Sequence, residues 1–139
     1  MNQKNVIAST IDPEDVARFS AVAAEWWDMQ GPFAPLHKFT PVRLGLIREW
    51  LSDHFVLSEA AGTPFNGLKL LDIGCGGGLI SEPLTRLGAT VTGIDADART
   101  IGTARLHAEQ TGLEIDYRVS LAEDLAAEMP GAFDAVIAS

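Results

Sequence analysis

The sequence holds a single cysteine, Cys75, so no internal disulfide can form. Positive charge is scarce: 10 Lys and Arg against 19 Asp and Glu give a formal net charge of −9 over 139 residues. That balance argues against nucleic acid as a partner, because a phosphate-backbone binder needs a basic surface to displace counterions. No apolar run reaches the roughly 20 residues needed to cross a bilayer, which leaves peripheral contact as the only expected membrane association. The opening MNQKNVIAST has no apolar core of the signal-peptide kind, and together with the lone cysteine it points to a cytoplasmic setting. Internal repeats and low-complexity tracts are also missing. What remains is 47% apolar content, enough for one folded domain with a real core.

The chain divides into two unlike parts. Residues 1–66 read as a helical N-terminal cover. In IDPEDVARFSAVAAEWWDMQG, Asp12 can cap a helix and Pro13 suits its first turn, while Val16, Phe19, Ala23 and Trp26 recur at helical spacing. GPFAPLHKFTP carries three prolines and reads as an irregular crossing, VRLGLIREWLSDHF returns to helix, and AAGTPFNG is a turn-rich connector. Residues 67–139 change period. LKLLDIG, ATVTGID, IDYRVS and FDAVIAS read as four strands, separated by the helical segments LISEPLTRLG, ADARTIGTARLHAEQTG and LAEDLAAEMPG. Gly88 and Gly112 look like helix stops, and Pro83 falls near a first turn where amides lack intrahelical partners. Such alternation predicts an α/β fold with a parallel sheet and right-handed crossovers.

Chemistry concentrates where strand one ends, in LLDIGCGGGLI. Gly74, Gly76 and Gly78 make G-x-G-x-G, and Leu79 stands where the dinucleotide fingerprint needs its third glycine. A P-loop is a worse match, since no Gly-Lys-Ser/Thr follows. Asp72 would set negative charge beside a diphosphate and favours a cationic ligand group instead. Asp95 lies about 20 residues past Gly74 at the end of strand two, where an acid can accept both ribose hydroxyls. A ribose, an adjacent cation and no phosphate describe S-adenosylmethionine, with Gly74 and Gly76 letting backbone approach it closely. A glycine-rich turn after a strand is often only a tight connection, and the two placed acids weigh against that reading. Cys75, with no catalytic or metal partner nearby in sequence, reads as a space-filler. His37, His54 and His107 lack metal-ligand spacing, so no metal site is expected in this stretch, and Trp26 and Trp27 read as core or lid packing.

Taken together, RFSAVAAEWWDMQGPFAPLHKFTPVRLGLI and LLDIGCGGGLISEPLTRLGATVTGIDA resemble the ubiquinone-biosynthesis O-methyltransferases, of the class I S-adenosylmethionine-dependent methyltransferases. The similarity runs from about Asp12 to Ser139. It implies a Rossmann-like sheet in the order 3-2-1-4 under a helical N-terminal cover, and cofactor contacts from Arg43, Gly74 and Asp95, with Gly76 beside them. Arg43 would clamp the methionine carboxylate with two parallel hydrogen bonds, a geometry lysine does not reproduce. The superfamily often places an adenine-binding acid after strand three. RVSLAEDL offers backbone around Leu121 and Ala122 there, with Glu123 or Asp124 as weaker candidates. The implied reaction methylates a phenolic hydroxyl on a polyprenylated phenol or quinol, at a peripheral inner-membrane location and in contact with a ubiquinone-biosynthesis complex. The implied sheet has seven strands against four here, so the chain reads as a fragment. The catalytic residues, unassigned within this stretch, and the magnesium site of some members are expected beyond Ser139. A non-catalytic cofactor-binding fragment and, less well matched, a nicotinamide-dependent oxidoreductase are the rival readings.

Overall fold

A computed structural model describes residues 21, 23–55, 57 and 62–138. The cap and first turns expected from Asp12, Pro13, Val16 and Phe19 lie outside the described residues, whereas residues 23–27, including Trp26 and Trp27, are helical. The next helix, α1, spans Ala34–His54. It begins inside the stretch expected to be irregular and takes in two of its prolines. Pro35 sits in the first turn, where no amide is needed, and Pro41 sits in the interior. An interior proline costs about 3 kcal/mol. Ile47 and Leu51 are buried from the same helix, and each such side chain contributes roughly 1.5–3 kcal/mol, so tertiary packing outweighs the local penalty.

The α/β part runs β1 (Lys69–Ile73), α2 (Ser81–Arg86), β2 (Thr90–Asp95), α3 (Ala98–Thr111), β3 (Asp116–Val119), α4 (Ala122–Glu128) and β4 (Ala135–Ala138). All neighbours pair in parallel, in the order β3-β2-β1-β4, as expected. Gly88 and Gly112 follow their helices at positive φ, and Pro83 sits in the first turn of α2. Asp97 caps α3, its side chain accepting from the Arg99 N–H.

β1 lies centrally and is covered on both faces, which is why Leu70 and Leu71 are both buried. Leu70 joins Ile47, Leu51, Phe65, Leu84 and Val91 in the cluster beneath α1 and α2. Leu71 joins Ile94 and Leu125 beneath α4. The β1–β4 register begins with a reciprocal clasp. Asp134 N–H donates to the Lys69 carbonyl at 2.7 Å, and Lys69 N–H donates to Asp134 Oδ2 at 2.8 Å.

Candidate cofactor site

Period-two alternation sends Asp72 to the same face as Leu70, beneath the start of α2. The chain then turns through residues 74–80 into α2. Gly74 and Cys75 donate their N–H groups to the Ile94 carbonyl at 2.9 and 3.0 Å, and Gly78 N–H donates to Cys75 O at 3.1 Å. A cavity of about 480 Å³ opens over this turn, against α1 and the end of β4. Arg43, Asp72, Gly74 and Gly76 line it together, and Leu36, Leu46, Trp50 and Ile137 add apolar wall. Four of the residues singled out from sequence, Arg43, Asp72, Gly74 and Gly76, therefore meet in one place. Asp95 stands beside the cavity, half-buried, with Oδ2 accepting from Gly76 N–H at 3.2 Å and Oδ1 from Asp97 N–H at 3.0 Å.

Asp72 is 0% exposed. Its Oδ2 accepts from Ser81 Oγ at 2.7 Å, while Oδ1 has no partner among the described residues. Burial pushes its pKa up to about 6. The Ser81 hydrogen bond and the Arg43 charge restrain that rise, and the Asp95 charge adds to it. The result is a buried carboxyl with one free acceptor at a cavity wall, facing an arginine charge.

At Gly76 and Gly77 the missing side chains have a structural use as well. A Cβ on either would come within 2.7 Å of the Trp26 indole. Trp26 stacks on Phe33 with centroids 4.0 Å apart, and His37 Nε2 donates to the Trp26 carbonyl at 2.7 Å. Trp27 also contacts the turn: its Nε1–H donates to Gly77 O at 3.1 Å, and its ring lies flat on His107, 4.0 Å between centroids. His107 Nδ1 donates to Glu82 Oε2 at 2.5 Å. Glu82 is itself 0% exposed and also accepts from Arg86 Nη2 at 3.0 Å. Sequence reasoning passes over Glu82 and leaves His107 unassigned. The one visible trace is the four-residue spacing of Glu82 and Arg86.

Cys75 packs with Ile101, Ala104, Ala108 and Tyr117, and burial drives its thiol far above the ordinary range, so it stays protonated. Tyr117 lies over Gly78 and Gly93, its buried hydroxyl without a partner among the described residues. Leu121, the candidate adenine contact, is 49% exposed just past β3. Ser120 N–H ties this segment to the Asp95 carbonyl at 3.1 Å. Among the described residues no three His, Cys, Asp or Glu gather as metal ligands, and no helix is long and apolar enough to cross a membrane.

Residues 71–139 match the family described as "Methyltransferase domain". Among curated proteins, the ubiquinone biosynthesis O-methyltransferase of Caulobacter vibrioides is 59% identical, over 92% of this chain and 51% of its own length. Those of Maricaulis maris and Cereibacter sphaeroides are 56% and 60% identical, over 92% and 86% of this chain and 50% and 48% of theirs. The chain thus spans about half the length of the curated relatives it matches. Among solved structures, monomeric WbdD aligns at TM-score 0.55 and 35% identity, over 68% of this chain and 22% of its own. A 16S rRNA methyltransferase of T. thermophilus, solved with AdoMet and guanosine, aligns at 0.58 and 23% identity, over 72% and 24%, and bears on the fold alone. With the parallel 3-2-1-4 sheet and the glycine turn in place, the chain has the Rossmann-like fold of the class I methyltransferases and is similar, over about nine-tenths of its length, to the ubiquinone biosynthesis O-methyltransferases.

Proposed function

We propose that this chain supplies the cofactor half of an S-adenosylmethionine-dependent O-methyltransferase acting on a polyprenylated phenol or quinol in ubiquinone biosynthesis. The observation that carries the reading is the shared cavity of Arg43 and Asp72, one a guanidinium and the other a buried carboxyl with a free oxygen. A zwitterionic amino-acid end needs both, and a diphosphate would be repelled by the second. Arg43 would take the methionine carboxylate and Asp72 Oδ1 the ammonium. The lone pairs of Asp95 not used by Gly76 and Asp97 would take ribose hydroxyls, and Gly74 would allow close backbone approach. When bound, the cofactor supplies a methyl group on a sulfonium. The protein's own part is to bind and orient that group and to keep water from it with apolar wall. Removing the proton from an acceptor of ordinary phenolic pKa, ~10, calls for a base, and the described residues assign none.

The exposed apolar side chains of α1, Phe39, Val42 and Trp50, support contact with a prenylated acceptor and a peripheral place at the inner membrane. Calorimetry with S-adenosylhomocysteine and with NADH tests the reading. Heat of binding from the former alone supports it. Binding of NADH without S-adenosylhomocysteine overturns it in favour of an oxidoreductase.

A further inference from the structure

The Gly77 carbonyl belongs to neither a strand nor a helix, and the peptide it begins is flanked by glycine on both sides. Glycine rotates freely, so no side chain at either end prevents that peptide from flipping. The peptide unit is planar, and the direction of Gly77 O therefore sets the direction of the Gly78 N–H. Gly78 N–H closes the turn by donating to Cys75 O. Whatever holds Gly77 O holds the turn that lines the cavity.

Trp27 Nε1 is the donor that does so, at 3.1 Å. Its indole is itself backed by the His107 ring, stacked and parallel to within 4°. His107 is fixed in turn by its hydrogen bond to Glu82, a carboxylate with no exposure that Arg86 also serves. A buried carboxylate is costly unless fully partnered, and Arg86 already supplies a charge partner. The added bond to His107 orients a ring. Trp26 closes over Gly76 and Gly77, so both adjacent indoles contact the turn. Trp27, His107 and Glu82 do not line the cavity, so any influence on a ligand runs through the turn.

We propose that Trp27, backed by His107 and Glu82, is a positioning residue that sets the Gly77–Gly78 peptide and through it cofactor affinity. The consequence for affinity rests on the cofactor reading above; the consequence for the turn does not. The test uses Trp27→Phe, which keeps an aromatic ring and removes the N–H, and His107→Ala, which removes the ring behind it, both made in the full-length protein. In cofactor-free protein, hydrogen exchange of the Gly76 and Gly78 amides is expected to quicken about fivefold in each variant, the loss of one ordinary hydrogen bond. The S-adenosylhomocysteine Kd rises by a similar factor, and in turnover the greater part of the loss falls in KM for the methyl donor rather than in kcat. The double variant loses little more than either single one, because both act on one line of contacts. Unchanged turn exchange alongside a lowered melting temperature would overturn the proposal and leave Trp27 as a brace for the N-terminal helix. If the unaltered protein fails to bind S-adenosylhomocysteine, the cofactor reading falls, and the exchange rates alone decide the positioning role.

Discussion

Replacing Asp72 with asparagine should make the cofactor-free protein more stable and the site useless. In the folded chain the Asp72 pKa stands at about 6, against 3.8 for the ordinary side chain, with burial the leading cause. The folded state therefore binds this proton more tightly than the unfolded state does. The group's contribution to stability is complete below pH 3.8 and is lost as pH rises through about 6. At roughly 1.4 kcal/mol per pH unit, that interval amounts to roughly 3 kcal/mol of cost borne by the ionised carboxylate at neutral pH. An asparagine side chain is neutral at every pH and keeps an acceptor for Ser81. Urea unfolding of Asp72→Asn should show a gain approaching roughly 3 kcal/mol at pH 7.5, falling to about half that at pH 5. Calorimetry on the same variant should show S-adenosylhomocysteine binding weakened at least tenfold, because a charge-assisted bond to the ammonium is gone. A stability change independent of pH, or a loss at pH 7.5, would refute the argument that the carboxylate is held ionised at the fold's expense.

Asp95→Ala should weaken S-adenosylhomocysteine by about 2 kcal/mol, read by calorimetry, since it strips acceptors from the ribose and frees the Gly76 amide. Equal affinity would remove Asp95 from the site. Arg43→Lys should weaken the same ligand several-fold, because a single ammonium cannot make the paired bonds of a guanidinium. Equal affinities would leave Arg43 with a structural task only. Gly78→Ala should destabilise by about 2 kcal/mol, because its Cβ would run into the Tyr117 hydroxyl at a φ of +95°. Adding Tyr117→Phe should recover part of that loss in thermal unfolding, as it removes the atom the new Cβ would strike, one with no partner among the described residues.

The α/β half is legible in the sequence because its signals are local. Each strand is a short apolar run, Gly88 and Gly112 mark the ends of α2 and α3, and Asp95 marks the end of β2 by position alone. The start of α1 is misread because proline is a local signal, whereas the burial of Ile47 and Leu51 that carries the helix through Pro41 is not. The site divides in the same way. Gly74 and Asp72 announce themselves in one motif, and Arg43 enters only through family resemblance, since a lone arginine on a helix has no pattern of its own. The Glu82–His107–Trp27 line joins residues 25 and 80 positions apart, and no periodicity in the chain connects them. Gly76 and Gly77 carry a second constraint that is hidden for the same reason: the Trp26 ring that needs their space lies 50 residues upstream.

The reciprocal clasp between Lys69 and Asp134 bears on the order in which the sheet can assemble. β1 meets β2, and β2 meets β3, after about 20 residues of intervening chain, but β4 must return across 65 to pair with β1. Closing the longer loop carries the greater entropic cost, and of these four strands β4 is the last to be synthesised. A three-stranded core of β3, β2 and β1 can therefore form while one edge of β1 still presents unpaired backbone to any passing strand. One hydrogen bond donated by Asp134 and one accepted by it set the register at the point where that edge closes, so the residue that aligns β4 on β1 also shields the backbone that β1 would otherwise expose.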